Sequence, residues 1–126
     1  MIAAIGFVAL ITVLAGFQVA LACGAPLGQF AWGGQHPGTL PIAFRIGSAV
    51  SVLIYGFFAT IVLDQAGLID VYPEAFAQVA IWFVVGFLAL GMLANAASRS
   101  KPERVVMTPV ALVLAALSFV VALTGG

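Results

Sequence analysis

The sequence predicts an all-α fold, an integral membrane bundle of four transmembrane helices spanning residues 1–126 as a single domain. Three observations carry this. The 126 residues are 64% hydrophobic and 6% charged, whereas a soluble domain is roughly half apolar and about a quarter charged. The apolar residues fall into four runs of a length close to the ~20 residues that a helix needs to cross about 30 Å of hydrocarbon. None of the runs alternates polar with apolar as barrel strands do. Backbone in lipid must satisfy its hydrogen bonds within the segment, which leaves helices.

The first run, Ile2–Ala22, stops at Gly24, with Pro26 two residues on, a normal helix end. Ala20-Leu21-Ala22 before Cys23 has the small-x-small form of a cleavage site. No Lys or Arg precedes the run, so the positive region of a secretory signal is missing and the segment is expected to stay as a helix. The second run, Phe44–Leu63, ends before Gly67. Pro73-Glu74 opens the third, Glu74–Ala96, with proline's fixed φ and an acid in the first turn. Ser100-Lys101-Pro102-Glu103 reads as a capping box that starts the fourth helix about one turn ahead of its apolar run, Val105–Leu123. Pro109 inside that helix is expected to free the Val105 carbonyl and to kink the helix.

Charge orients the bundle. Arg45, Arg99, Lys101 and Arg104 all lie on the side of the first and third connections, and the other side carries Asp64, Asp70 and Glu74. The positive-inside rule places the loop 24–41 in the cytoplasm and both termini outside. The four basic and four acidic residues cancel, so no net field draws in nucleic acid. A single cysteine excludes an internal disulfide, and no metal site or cofactor is expected.

The loop 24–41 holds five glycines, three prolines and the only histidine, together with Leu27, Phe30, Trp32 and Leu40. A flexible linker is polar and Gly/Ser-rich. This one is expected to fold onto the end of the bundle as an interfacial cap, or to dip into it as a re-entrant segment. No Gly-Lys-Ser/Thr follows, so it is not a phosphate loop.

Within the helices, each polar residue is costly in lipid and therefore informative. Arg45, Ser48, Ser51 and Tyr55 share one side of the second helix, Gly91 and Asn95 one side of the third, and Gln18 lies near the end of the first. Interhelical hydrogen bonding explains them structurally, with small residues such as Ala111 and Ala115 permitting close packing. The functional reading is a polar-lined pocket with Arg45 as its anion anchor and Tyr55, His36, Trp32 and Gln18 as further ligand-binding candidates. No catalytic residue is named. The middle of every helix lacks Asp, Glu, Lys and His, which disfavours proton-coupled export, and no Cys pair or His pair supports thiol exchange or haem ligation.

The segments "GAPLGQFAWGG", the following "HPG…LP…R" and "SRSKPERVVMTPV" resemble those of small four-helix integral membrane proteins found in many bacteria. The resemblance covers most of the chain. It implies the topology above and a bacterial cytoplasmic membrane, and it assigns no catalytic or binding residue.

Three function classes follow. The first, favoured by the lack of a titratable group placed for chemistry, is a structural or accessory protein that packs against itself as a homo-oligomer or against a larger membrane complex, with the lipid bilayer as its other partner. The second is an oligomeric transporter or channel, for which a continuous polar path is required. The third is a binder of, or enzyme for, a lipid-like molecule, with the glycine-rich loop and Arg45 at its mouth, which a Trp/Tyr/Arg-lined cavity closed to the outside would favour.

Overall fold

The computed structural model describes residues 1–125, which form four α-helices, two short 3-10 turns and no strand. Helix α1 spans Ile2–Ala22, α2 Ile42–Gln65, α3 Glu74–Ala96 and α4 Lys101–Thr124, each long and apolar enough to cross a membrane. The chain is a multi-pass membrane protein of the all-α class.

Helices α1 and α3 keep the bounds expected from the sequence. Helix α2 runs two residues beyond its apolar run at each end. At its start the Pro41 carbonyl accepts from both Phe44 and Arg45 at 3.0 Å, and its last turn takes in Asp64 and Gln65. Helices α1 and α2 end alike. After α1, Ala25 N–H donates to Ala20 O (2.9 Å) and Gly24 N–H to Leu21 O (3.1 Å). After α2, Leu68 donates to Leu63 O and Gly67 to Asp64 O, both at 3.0 Å. These paired bonds satisfy the last carbonyls and require a left-handed residue just past the helix, which Gly24 supplies at φ +97°.

Helix α4 does begin one turn ahead of its apolar run, but not with a capping box. Ser100 stands at the N-cap without a side-chain bond to the helix, and its hydroxyl donates to the Gln29 carbonyl of the glycine-rich loop. The loop crosses this helix end and competes for the hydroxyl. Glu103 does not reach back to the cap either; it turns inward and is 4% exposed. Pro109 sits within α4, which continues through it to Thr124.

Helix α1 packs chiefly on α2 and α3 on α4, and contacts of α1 with α4 and of α2 with α3 close the bundle. Phe7, Ile11, Phe58, Ile81, Val84 and Leu114 fill its centre, none more than 2% exposed. The outward faces are as apolar as the core: Val13, Leu53 and Val79 are at least 70% exposed. Lipid tails solvate such side chains as well as a core does. The helices are therefore held by close packing and polar contacts rather than by a hydrophobic drive.

Residues 23–41 fold over one end of the bundle as a cap with a small core of its own, Leu21, Ala31 and Leu40, flanked by Phe17, Leu27 and Phe44. Gly28 N–H donates to Gly38 O (3.0 Å) and the Thr39 hydroxyl to Gly24 O (3.0 Å). The chain crosses itself so closely that a Cβ on Gly28 would lie 1.8 Å from the His36 carbonyl oxygen. That contact explains why glycine is needed in the middle of the loop.

Candidate functional site

Each helix carries its buried stripe toward the loop end, and there the stripe turns polar. On α1 the sequence Phe7, Ile11, Leu14 leads to Gln18. On α2, Val62 and Phe58 lead to Tyr55, Ser51 and Ser48, and on α3 Val84 and Leu88 lead to Gly91 and Asn95. On α4, Val121, Ser118, Leu114 and Ala111 lead through Met107 to Glu103. The spacing of three and four residues keeps each series on one helix face.

These polar ends do not close on one another. They surround a cavity of about 220 Å³, floored by Leu88, Ala111 and Leu114 and capped by Phe30, Ala31 and Trp32 of the loop. Phe17, Tyr55 and Phe87 add three aromatic rings to the wall, and Ser51 and Asn95 add polar groups. Two side-chain oxygens of its lining are buried with no hydrogen-bond partner, Gln18 Oε1 and Glu103 Oε2. The rest of the Glu103 carboxyl faces the backbone N–H of Gly33 and the Ser98 side chain, and the side chain of Gln18 faces the Tyr55 hydroxyl. Arg104, next to Glu103 in the chain, donates instead to the Ser98 carbonyl at 3.0 Å. A buried acceptor left unpaired costs about 1–3 kcal/mol, and more when it carries charge.

The lid is fastened at Trp32. Its Nε1 donates to Ser48 Oγ (3.2 Å), a fully buried hydroxyl on α2, and its ring lies 5.4 Å from that of Phe44. Trp32 holds φ +54°, the one positive value at a non-glycine among the described residues. A bulky residue in that region costs about 1–2 kcal/mol, and such strain persists where surrounding contacts over-determine it.

Of the five residues singled out from the sequence, Gln18, Tyr55 and Trp32 line this cavity and Arg45 and His36 do not. Arg45 Nε donates to Ala22 O (3.0 Å), and its guanidinium lies over Gly24. It caps the last turn of α1, where a cation complements the exposed carbonyls. The His36 ring packs on Phe44 at 5.1 Å, on the loop's outer layer. Glu103, Asn95 and Ser51 were not singled out as ligand groups. For Glu103 the capping-box pattern masked the signal: it stands on the same face as Met107, Ala111 and Leu114.

A second pocket lies at the opposite end, among Asp64, Asp70, Tyr72, Glu74 and Gln78. Between the two, the buried positions of α2 and α3 are apolar, Phe58, Ile61 and Val62 on α2 and Ile81 and Val84 on α3, and the buried Ser118 hydroxyl of α4 donates within its own helix to Ala115 O at 3.0 Å. Among the described residues, no group of three or more His, Cys, Asp or Glu side chains could hold a metal. No protein-family model, curated protein or solved structure matches the chain.

Proposed function

We propose that the protein binds a small amphipathic molecule in the loop-end cavity, at the cytoplasmic face of a bacterial cytoplasmic membrane. The observation that carries this is the pair of unpartnered acceptors, Gln18 Oε1 and Glu103 Oε2, buried in one cavity that aromatic and aliphatic side chains line together with Ser51 and Asn95. A bundle whose only task is to pack would close over such groups or replace them, because small and apolar residues associate helices at lower cost. A concave, mostly apolar site with a few convergent polar groups is the usual form of a small-molecule site. The apolar layer between the two pockets supports binding over conduction. The cytoplasmic assignment rests on Arg45, Arg99, Lys101 and Arg104 lying at the loop end, opposite the acidic end.

Native mass spectrometry of the protein released directly from its own membrane tests this. The wild type should carry a small molecule in fixed stoichiometry, and Gly91→Leu should not. A Cβ on Gly91 meets nothing within 4 Å, so the backbone there admits a side chain, and leucine takes up cavity volume and replaces a helix-weakening glycine. An empty wild type, or a Gly91→Leu protein that keeps its passenger, overturns the proposal.

A further inference from the structure

We propose that the molecule is a primary or secondary amine, bound as its ammonium ion with a short apolar body, and that Glu103 is its counter-ion. This rests on the reading of the cavity as a binding site and names the chemistry of its occupant.

The argument begins with what is missing from the wall. With the Glu103 carboxyl ionised, as an ammonium counter-ion would hold it, both unpartnered atoms are acceptors, Gln18 Oε1 and Glu103 Oε2, and the occupant must bring donors. The Ser51 hydroxyl is already committed to Gly47 O at 3.0 Å. Among the described residues no Arg, Lys or His lines the cavity, so an anionic head would meet a carboxylate with no compensating charge. An alcohol or amide would serve Gln18 but would leave the carboxylate of a 4%-exposed residue without a counter-charge, and an unpaired buried charge is the costlier omission. An ammonium with N–H groups answers both acceptors at once.

The remaining wall fits the same class. Phe17, Phe30, Trp32, Tyr55 and Phe87 bring aromatic rings to the lining, and a ring face attracts a cation within about 6 Å of its centroid. A quaternary ammonium would use the rings and the carboxylate but has no N–H for Gln18 Oε1. The volume of about 220 Å³ admits a head group with a short chain, not a whole diacyl lipid. A free amine would enter entirely, whereas an aminophospholipid would enter by its ethanolamine head alone.

Trp82 lies outside the site, against Phe119, and the chain has two tryptophans. A Trp82→Phe background therefore leaves Trp32 in the lid as the single fluorescent reporter. In phosphatidylcholine nanodiscs this protein would be titrated with n-hexylamine, 1-hexanol, hexanoate and hexyltrimethylammonium. The same protein carrying Gly91→Leu supplies the membrane-partitioning signal to subtract. The expected result is a saturable response to hexylamine at least tenfold tighter than to any of the other three. Glu103→Gln should weaken hexylamine at least tenfold and leave hexanol unchanged.

A parallel arm compares thermal stability in phosphatidylethanolamine and phosphatidylcholine discs. Stabilisation by phosphatidylethanolamine that Glu103→Gln abolishes identifies the lipid head group as the source, with or without a hexylamine response. Hexylamine binding without that lipid effect identifies a free amine. Hexanol or hexanoate binding as tightly as hexylamine overturns the amine assignment and leaves the binding proposal standing. No saturable probe and no lipid effect also overturns it, and the mass spectrum then decides the binding proposal separately.

Discussion

Trp32, in the lid of the cavity, and Ser48 meet indole Nε1 to hydroxyl Oγ at 3.2 Å, and so join the loop to the first turns of α2. The bond is the lid's only side-chain hydrogen bond to α2 among the described residues, and the tilted ring contact with Phe44 supports it. The lid should therefore open when the indole is removed. With Cys23 replaced by serine, a cysteine placed at Ser51 inside the cavity should react slowly with a membrane-permeant maleimide. Adding Trp32→Ala should raise the labelling rate at least tenfold, and Trp32→Phe, which keeps a ring but not the N–H, should raise it less. Equal rates in all three proteins would show that the indole does not close the mouth.

Arg45 should matter for stability and not for ligand. Its bond to Ala22 O is charge-assisted and part-buried, and such bonds contribute about 1.5–3 kcal/mol, less where water shares the donor. Arg45→Ala is expected to lose about 1–2 kcal/mol, read as a lower Tm in detergent, with the increment produced by bound ligand unchanged. Loss of that increment would return Arg45 to the binding site.

Glu103 should show the opposite pattern. Its buried, unpartnered oxygen is a liability in the empty protein. Glu103→Met keeps the length and the helical preference while removing the polar group, and should raise the stability of the ligand-free protein by about 1–3 kcal/mol. The same substitution should abolish ligand-induced stabilisation. A fall in ligand-free stability would mean that the carboxyl is a structural hinge of the loop rather than a recognition group.

At the other end, Asp64 Oδ2 accepts from the backbone N–H groups of both Val71 (2.7 Å) and Tyr72 (2.8 Å), which fastens the connection between α2 and α3. The Tyr72 hydroxyl in turn lies 2.8 Å from Thr60 Oγ1. Asp64→Ala should cost about 1–3 kcal/mol and speed hydrogen exchange at Val71 and Tyr72 without changing exchange in α4. Unaltered exchange at those two amides would show that the connection is fixed by other contacts.

The bundle was readable from composition and run length because the physics of lipid leaves a chain few options: twenty apolar residues with no alternation can only be a helix. Helix ends at Gly24, Gly67 and Pro73 were equally plain, since each residue type acts through its own φ and needs no partner. Arg45 was ambiguous because a cation near a helix end has two uses, and the capping one becomes visible only where the chain returns to within 3.0 Å of Ala22 O. Glu103 was hidden by its neighbours. Ser100-Lys101-Pro102-Glu103 satisfies the local pattern of a cap, but a loop carbonyl 71 residues earlier takes the serine hydroxyl. The helical spacing from Glu103 through Met107 and Ala111 to Leu114 did hold the answer. What lay beyond the sequence was that the four polar stripe ends stand apart rather than bonding to one another.

The contact between Gln29 and Ser100 also sets an order of events during synthesis. The 71 residues between them take about 4–14 s to emerge at about 5–20 residues per second. Throughout that interval the newly made loop has no α4 to rest on, and Phe30 and Trp32 must shelter at the bilayer surface. The lid is thus among the first parts of the chain to be translated and among the last to be set in place. A nascent protein halted before α4 would present its aromatic loop to whatever insertase or chaperone stands beside the ribosome.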